Sequence, residues 1–483
     1  MHPKTILKIL SILILILSLF MIVPAVVALI YKEYNAFYSF IETIIFTMMI
    51  SILAIVLLKK AKEATLSTKD GFLLVTFGWF VAALVGSIPF YISGCIPSYV
   101  DAFFETISGF STTGASILND IESLPKSMLF WRSLTHWLGG MGIIVLTVAI
   151  LPLMGIGGLQ LIKAEMPGPA VDKISPRIAD NAKYLWLIYI VLTIAETILL
   201  MYGNMNLFDA LTHTFGTVAT GGFSTKDSSI QYFDSPYIET VVTIFMLLAG
   251  INFMMHYSFV TGRFKTILKN SEIKVYLSIF ILATFFITFN MNREMYIDVW
   301  ESLRLASFQA ASILTTTGYV SMDYQRWPYF AQGVLFMLMF VGGCSGSTAG
   351  GIKVIRITVL LKQAVNEMKY LLHPMGIFTL KANKHTVKKD IVYAISGFFF
   401  LYIAIALLLA LIVSTSGVSL STSLSSAVAI LGNIGPGFGN VGPASNYYFY
   451  PDYVKWALSF GMLAGRLEIY TVLVIFTPFF WKK

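Results

Sequence analysis

Charged residues are scarce in this chain. Only 12% of its 483 residues are Asp, Glu, Lys or Arg, whereas 57% are hydrophobic. Soluble globular proteins carry about 25% charged residues. So few charges cannot cover a set of ordinary soluble domains, and the composition therefore predicts an integral membrane protein.

Cysteine and histidine are also rare. Cys95 and Cys344 are the only cysteines, so a disulfide framework and a Cys-x-x-Cys metal site are both excluded. The six histidines show no metal-ligand spacing, and no His-Glu-x-x-His motif is present. We therefore expect no enzyme, no catalytic metal and no cofactor in this chain.

The sequence contains long segments with few or no charged residues. A bilayer is crossed by about 20 apolar residues. The predicted spans are residues 9–31, 36–58, 72–96, 133–160, 184–204, 240–262, 275–292, 327–352 and 453–480, with one more span and further membrane-depth structure in 391–451. The first segment exceeds the roughly 7–15 apolar residues of a signal peptide, so we predict an anchoring helix, with a signal peptide as the alternative.

Basic residues collect in alternate loops between these spans. Four clusters stand out: Lys59, Lys60, Lys62 and Lys69; Lys163, Lys173, Arg177 and Lys183; Arg263, Lys265, Lys269 and Lys274; and Lys362, Lys369, Lys381, Lys384, Lys388 and Lys389. The other loops carry acidic residues such as Asp101, Asp120 and Asp209. By the positive-inside rule the basic loops are cytoplasmic and the acidic loops external. Topology thus accounts for the net charge of +8, and we expect no nucleic acid partner.

An internal repeat occupies the acidic loops. Residues 101–116 (DAFFETISGFSTTGAS) align without a gap on 209–224 (DALTHTFGTVATGGFS), and 305–320 and 422–437 share the ending of this pattern. The shared glycines are Gly114, Gly222, Gly318 and Gly435. Each glycine follows a short helical stretch and lies between two long spans. The sequence therefore predicts four units of span, re-entrant helix, glycine loop and span.

Four re-entrant loops can surround one cavity, since irregular backbone at membrane depth must be buried in protein or line water. Glycine adopts positive φ without steric cost, which lets consecutive carbonyls point the same way. Such carbonyls replace the hydration shell of K⁺ in potassium channels, and residues 434–437 (IGPG) look like a variant of the filter sequence TVGYG. Any one glycine alone is equally a packing or turn residue. Their recurrence at one topological position favours a filter for monovalent cations.

The loop motifs resemble a known family. STTGAS (111–116), ATGGFS (219–224), TTTGY (315–319) and GNIGPGFGN (432–440) resemble the four filter loops of the Trk/Ktr/HKT superfamily of potassium transporters. GGCSGSTAGGIKVIR (342–356) and GRLEIY (465–470) resemble further signatures of this superfamily. The resemblance runs from about residue 70 to the end, and the two extra N-terminal spans point to TrkH-type members of the Trk branch.

The resemblance implies an all-α membrane protein with four pseudo-symmetric helix–pore loop–helix repeats around one central pore, plus two extra N-terminal transmembrane helices. The expected units are residues 1–69 for the two N-terminal helices and 70–165, 166–270, 271–385 and 386–483 for the repeats, the third with a broken second helix. The implied potassium site comprises Thr112, Thr113, Gly114, Thr220, Gly221, Gly222, Thr316, Thr317, Gly318, Asn433, Ile434 and Gly435. Gly114 favours potassium, because a serine at that position accompanies sodium preference in the plant branch.

The resemblance also implies a function and partners. It implies potassium uptake across the bacterial plasma (inner) membrane by a lipid-embedded homodimer with one pore per protomer. A cytosolic ring of nucleotide-binding regulatory subunits of the TrkA type is the implied partner, and K⁺ is the transported ion. A sodium/potassium-permeable or ion-coupled secondary transporter stays open as the alternative. An organic-solute transporter built from inverted repeats is disfavoured, because all four loops enter from the acidic side.

Two features are candidates for a gate. Residues 342–351 (GGCSGSTAGG) cannot form a stable helix, since each glycine costs about 1 kcal/mol there. The alternatives are a small-residue helix contact and a flexible gating loop beneath the filter, and the family has such a loop. The predicted gate residues are Gly342, Gly343, Ser345, Gly346, Ser347, Thr348, Gly350, Gly351 and Arg466. Arg466 lies inside a span, either paired with Glu468 or Glu105, or acting as a barrier in the ion path.

Aligned polar residues flank the repeat glycines. Asp101 and Asp209 are candidates for an external vestibule that concentrates cations. Glu105, His213 and Gln309 each lie nine residues before a repeat glycine. We expect the latter three to brace the re-entrant helices rather than to contact the ion.

Overall fold

Most of the described residues are helical. The computed structural model describes residues 1–59, 66–145, 178–382 and 385–482. Within these residues, six helices are long and apolar enough to cross a membrane, and up to eight spans result if each bent helix pair counts as one. The strand pairing found there is one hairpin, Lys381–Ala382 with His385–Thr386. The predicted all-α membrane fold is confirmed.

Two N-terminal spans pack against the first repeat. Their helices are Pro3–Phe20, Ile22–Ile30 and Tyr34–Leu57. The hydroxyls of Ser18 and Thr47 join the two spans at 2.7 Å. Glu33, in the turn between the spans, accepts the backbone N–H groups of Lys126 and Ser127 at 2.7 and 2.9 Å. A side chain of the N-terminal pair thus caps the second long helix of the first repeat.

Each repeat then follows the order helix, short re-entrant helix, loop and helix. The first contains Thr68–Gly86, Ile88–Ile92, Tyr99–Phe110 and Lys126–Val145; the second Ile178–Tyr202, Leu207–Val218, Ser229–Phe233, Pro236–Ala249, Phe253–Val260 and Phe264–Lys269; the third Ser271–Met295, Val299–Leu314, Tyr324–Arg326, Tyr329–Leu338 and Val354–Leu372; and the fourth Lys389–Ser414, Leu420–Leu431, Gly439–Val441, Asp452–Arg466, Tyr470–Leu473, Val474–Phe476 and Pro478–Trp481. The predicted limits of the repeats themselves stay predictions.

The four short helices, called pore helices below, are Tyr99–Phe110, Leu207–Val218, Val299–Leu314 and Leu420–Leu431. Each begins at a polar residue whose side chain accepts a backbone N–H of the first turn, which is the preferred way to start a helix. These capping residues are Ser98, Asn206, Asp298 and Ser419. Local sequence therefore fixes where each pore helix starts, and the buried loop that follows fixes where it ends.

Three of the predicted spans are interrupted: the break in the third repeat was predicted, whereas the breaks in the other two were not. The span predicted at 240–262 ends at Ala249 and restarts at Phe253 with a bend of 101°. The span predicted at 453–480 breaks between Arg466 and Tyr470 with a bend of 114°. In the third repeat, helix Tyr329–Leu338 ends before the glycine-rich segment and the chain becomes helical again at Val354.

Specific residues make these breaks. Asn252 caps the helix that restarts at Phe253, accepting the N–H of Met254 at 2.8 Å. Glu468 and Ile469 both adopt positive φ, at 56° and 28°, which ends the last long helix. The C-terminal part of the span predicted at 133–160 and the basic residues Lys163, Lys173 and Arg177 lie outside the described residues.

Candidate functional site

Four re-entrant loops meet in a closed ring. They are residues 111–116, 219–224, 315–319 and 432–440, numbered one to four below. The Cα of each repeat glycine faces a carbonyl of the next loop so closely that a Cβ there would overlap the oxygen. The pairs are Gly114 with Gly221, Gly222 with Thr317, Gly318 with Ile434 and Gly435 with Thr113, with the Cβ position 2.2, 1.9, 2.0 and 2.7 Å from the carbonyl oxygen. Because the fourth loop returns to the first, the ring is complete.

The backbone repeats the same conformation at every corner. The residue two positions before each glycine has positive φ: 53° at Thr112, 56° at Thr220, 58° at Thr316 and 53° at Asn433. The glycines have φ of 78°, 80°, 82° and 95°. Successive carbonyls of an ordinary strand point in opposite directions. Here φ is positive, negative and positive again over three residues, which turns the carbonyls towards one side and gives each corner a short row of oxygens.

Identical hydrogen bonds hold the four corners. The N–H of each left-handed residue donates to the carbonyl three residues earlier, and the next N–H donates to the carbonyl five residues earlier. In the first corner these bonds are Thr112 to Gly109 at 3.1 Å and Thr113 to Ser108 at 2.9 Å. The other corners have Thr220 to Thr217, Gly221 to Gly216, Thr316 to Ile313, Thr317 to Ser312, Asn433 to Ile430 and Ile434 to Ala429. Each loop is thus the C-terminal cap of its pore helix.

Charge at the ring follows from this arrangement. A helix C-terminus carries a partial negative charge of about half an elementary charge. All four pore helices end directly at the ring, so their negative ends converge where the carbonyls lie. Uncharged backbone carbonyl oxygens suit a monovalent cation. Among the described residues, no three His, Cys, Asp or Glu side chains are close enough to hold another metal ion.

The twelve predicted potassium-site residues all lie in the ring, but the corners are unequal. The hydroxyl of Tyr447 donates to the carbonyl of Gly435 at 2.8 Å. The side chain of Asn433 donates to Thr113 Oγ1 and to the carbonyl of Met462, both at 2.9 Å. The fourth corner is therefore tied to the first corner and to helix Asp452–Arg466. Ion binding by these residues remains a prediction.

Side chains nine residues before the glycines connect the first three pore helices to their own loops. Glu105 accepts the Ser116 hydroxyl and the Ile117 N–H, both at 2.9 Å. His213 Nε2 lies 2.9 Å from Ser224 Oγ, and Gln309 Nε2 lies 3.4 Å from the carbonyl of Tyr319. These contacts agree with a bracing role rather than ion contact.

Two buried residues between loops one and two are functional candidates that sequence reasoning missed. Arg132 donates to Glu105 at 2.6 Å and to the carbonyl of Ser224 at 2.8 Å, and its guanidinium lies 3.5 Å from the centre of the Phe223 ring. His136 accepts the Phe223 N–H through Nε2 at 3.1 Å, so its Nδ1 carries the proton donated to the carbonyl of Gly109 at 2.7 Å. The one sequence signal for Arg132 was its position as a charged residue directly before the span predicted at 133–160.

Asp101 and Asp209 do not behave as open vestibule charges. Both are buried, at 6% and 7% exposure. Asp101 accepts the Lys455 ammonium at 2.5 Å, and Asp209 accepts the Thr225 hydroxyl at 2.6 Å. Their carboxylates therefore stabilise the outer ends of the pore helices.

The glycine-rich segment 342–351, called the interrupting loop below, lies against the ring. Gly350 N–H donates to Thr316 Oγ1 at 2.6 Å. The hydroxyl of Thr348 lies 3.1 Å from the carbonyl of Val218 and 3.3 Å from that of Ala249. At its base, Gly342 N–H donates to the carbonyl of Ile352 at 2.9 Å, which closes the segment into a loop. It thus contacts the C-terminal end of the second pore helix and the third corner.

Arg466 joins the interrupting loop to the first repeat. It donates to the carbonyl of Thr348 at 2.6 Å and to that of Gly139 at 3.0 Å. The two carboxylates proposed as its alternative partners have other cations: Arg132 binds Glu105, and Arg356 binds Glu468. The arrangement places a guanidinium between the interrupting loop and helix Lys126–Val145.

Comparison with known proteins gives consistent results. A family model named TrkH and described as a cation transport protein matches residues 36–292 and 275–483. The Trk system potassium uptake protein TrkH of Escherichia coli K12 is 42% identical over 431 residues, which is 88% of this chain and 88% of that protein. The TrkH protein of Halomonas elongata is 42% identical over 422 residues, 86% of this chain and 87% of that protein.

A solved structure is similar over the whole length. The crystal structure of the potassium transporter TrkH from Vibrio parahaemolyticus superposes with a TM-score of 0.89 at 36% identity, covering 100% of both chains. The arrangement of four repeats around one ring is therefore shared with that structure.

Proposed function

The chain belongs to the TrkH family of cation transport proteins, and from this we propose that it takes up potassium across the bacterial inner membrane through the ring of four re-entrant loops. Membership in a transport family agrees with the expectation that the chain is not an enzyme. The observation that carries the proposal is the closed ring, in which every glycine faces a carbonyl of the next loop.

Potassium selection in this proposal comes from the carbonyl rows. An entering ion exchanges its hydration shell for backbone oxygens of the left-handed residue, the next residue and the glycine in each loop. The glycine contacts fix how far apart the oxygens lie, since no corner can move without displacing the next. The converging pore-helix ends compensate part of the lost hydration. The fourth corner contributes less, because Tyr447 already donates to the carbonyl of Gly435.

Gating in this proposal uses the interrupting loop and Arg466. The loop contacts the third corner through Gly350 and the C-terminal end of the second pore helix through Thr348, so it blocks the exit of an ion from the ring. The Arg466 guanidinium bound to Thr348 adds a positive charge on the same path. Moving the loop removes both obstacles at once.

Assembly and sidedness belong to the same proposal. Arg263, Lys265, Lys269 and Lys274 are exposed and lie in and beside the short helix Phe264–Lys269, which fits the cytoplasmic side and an acidic docking partner. We assign this surface to a nucleotide-binding regulatory ring of the TrkA type, acting on a homodimer. Co-purification of the complete chain with such subunits, lost on changing the four cations to Gln, is the expected result.

The decisive experiment is ⁸⁶Rb⁺ uptake into proteoliposomes with K⁺, Na⁺ and Li⁺ as competitors. Wild type is compared with Gly435→Ser, where a side chain would meet the Thr113 carbonyl at φ 95°. Gly333→Ser is the matched control, because no heavy atom lies within 4 Å of a Cβ there. We expect the preference for K⁺ over Na⁺ to fall about tenfold in Gly435→Ser, the ratio that 1.4 kcal/mol produces, and to stay unchanged in Gly333→Ser.

Other outcomes separate the alternatives. Equal competition by Na⁺ and K⁺ in wild type would favour the sodium/potassium-permeable alternative. Proton or sodium entry in fixed ratio to ⁸⁶Rb⁺ would favour an ion-coupled transporter. No cation flux in wild type contradicts the proposal.

A further inference from the structure

One buried carboxylate lies at the base of the interrupting loop. Glu272 is in the first turn of helix Ser271–Met295, whose N-terminus is capped by the side chain of Asn270. The Glu272 side chain is not needed for that cap. Its Oε1 instead accepts the backbone N–H of Ser345 at 2.7 Å and that of Ile355 at 3.2 Å. At 6% exposure the carboxylate is shielded from water.

One donor lies within the interrupting loop and the other lies just after it. Ser345 is near its beginning, and Ile355 is in the first turn of the helix that restarts at Val354. One oxygen thus joins two points ten residues apart. Hydrogen bonds to an ionised acceptor are roughly twice as strong as neutral ones. The glycine-rich segment has little conformational preference of its own, so such a contact has a large influence on where it lies.

The break in the second repeat holds the same part of the loop from the other side. Cys344 N–H donates to the carbonyl of Gly250 at 2.9 Å, and Phe253 N–H donates to the carbonyl of Gly346 at 3.0 Å. Residues 344–346 are therefore fixed between this break and Glu272. Nearer the ring, Thr348 and Gly350 contact neutral groups and Arg466, while the Lys353 ammonium donates to the carbonyl of Ala349 between them.

We propose that Glu272 is a positioning residue that latches the interrupting loop against the ring and so sets the fraction of time the pathway is closed. The proposal rests on the gating role given to this loop above. Opening requires Oε1 to release at least one of its two donors. Removing the carboxylate lowers that barrier and shifts the loop towards the released state.

Charge alone predicts the opposite effect on transport. Lys353 lies within electrostatic reach of Arg356 and Arg466, and of the carboxylates of Glu272 and Glu468. Neutralising Glu272 makes this cluster more positive, which opposes a passing cation. A purely electrostatic role therefore predicts slower uptake, whereas a latch predicts faster uptake.

Cys344 can serve as a probe of the position of the interrupting loop. The Cys344 side chain is fully buried in the interrupting loop. With Cys95 changed to Ser, the rate of Cys344 modification by a maleimide reports release of the loop. The variants are Glu272→Gln, which keeps the size of the side chain, and Glu272→Ala. Glu294→Gln is the matched control, an exposed carboxylate at the other end of the same helix.

In reconstituted full-length protein, we expect Cys344 modification about tenfold faster in Glu272→Ala and severalfold faster in Glu272→Gln, with the control unchanged. We expect ⁸⁶Rb⁺ uptake to rise in the same order. Thermal unfolding in detergent checks that the fold is intact, and Glu272→Gln serves if Glu272→Ala does not fold.

The latch is overturned if Cys344 in the Glu272 variants is modified at the same rate as in the Glu294→Gln control. It is also overturned if ⁸⁶Rb⁺ uptake becomes slower while Cys344 modification does not become faster. Faster modification with unchanged uptake supports the latch while contradicting the gating role of the loop. The failure of this inference is thus separable from failure of the proposed function.

Discussion

The left-handed residues of the ring carry backbone strain. Thr112, Thr220 and Thr316 are β-branched, and positive φ is a genuine outlier for such side chains. Residues in sparsely populated backbone regions cost of order 1–3 kcal/mol each and persist only where their surroundings determine them. Here the pore-helix bonds and the neighbouring corner supply that constraint. The ring therefore depends on contacts between loops rather than on local preference.

A single methyl group at a ring glycine tests this dependence. In Gly222→Ala, the Cβ would lie 1.9 Å from the carbonyl oxygen of Thr317 at φ 80°. We expect ⁸⁶Rb⁺ uptake to fall at least about tenfold, because a displaced carbonyl costs more than 1.4 kcal/mol at the site. Gly333→Ala is the control and should transport normally. Normal uptake by Gly222→Ala would contradict the ring as the ion path.

The buried Glu105–Arg132 pair makes a prediction about stability. Arg132→Met leaves a fully buried carboxylate without its cation, which typically costs about 3–5 kcal/mol. The matched variant Lys226→Met removes the partner of the more exposed Glu122, a contact of 3.3 Å that is worth less than about 1 kcal/mol. Thermal unfolding in detergent should separate the two variants clearly. Equal midpoints would mean that Arg132 contributes little to holding loops one and two.

Sequence revealed part of this residue-scale picture. The four glycines and their preceding residues follow from repeat alignment, because the ring imposes the same backbone four times. Arg132 and His136 were not found, since their partners lie up to 92 residues away and no local pattern records such contacts.

At the scale of elements, interrupted helices occur in the second, third and fourth repeats among the described residues. The third break was predicted because its glycine density rules out a helix. The breaks after Ala249 and Arg466 were not, since each segment is apolar and contains few glycines. Tertiary contacts stabilise these two breaks instead: the Gly250 carbonyl accepts the Cys344 N–H, and Arg466 donates to the carbonyl of Thr348 in the interrupting loop.

The cap at Asn252 provides a test of the second break. Asn252→Ala removes the acceptor of the Met254 N–H, a loss worth about 1 kcal/mol at a helix N-terminus. Asn252→Asp keeps an acceptor there and should be close to wild type in thermal stability. We also expect faster Cys344 modification in Asn252→Ala, because the neighbouring Phe253 bonds to the loop. Identical behaviour of the two variants would exclude the cap as the cause of the break.

For the whole molecule, one chain must close a ring between its first and last quarters. Asn433 and Thr113, which make that closure, are 320 residues apart in sequence. The number of repeats and their order were predictable from sequence, because each repeat is a local unit. The register of the closing contact was not, since it depends on how four separately folded units dock.

Membrane sidedness is the remaining expectation at this scale. In a chain with Cys95 and Cys344 changed to Ser, a cysteine replaces either Glu122 or Lys265, both exposed. A membrane-impermeant maleimide added to intact cells should label Glu122→Cys and leave Lys265→Cys unlabelled until the membrane is opened. The reverse pattern would invert the topology.

Ring closure within one polypeptide has an evolutionary consequence. In a channel of four identical subunits, one codon change alters all four corners together, so selectivity shifts in a large step. Here each corner has its own codons, and the fourth already differs through Asn433 and its contact with Thr113. In the proposed function, a mutation alters one quarter of the oxygens offered to the ion, which lets ion preference drift gradually while the other corners keep the protein working.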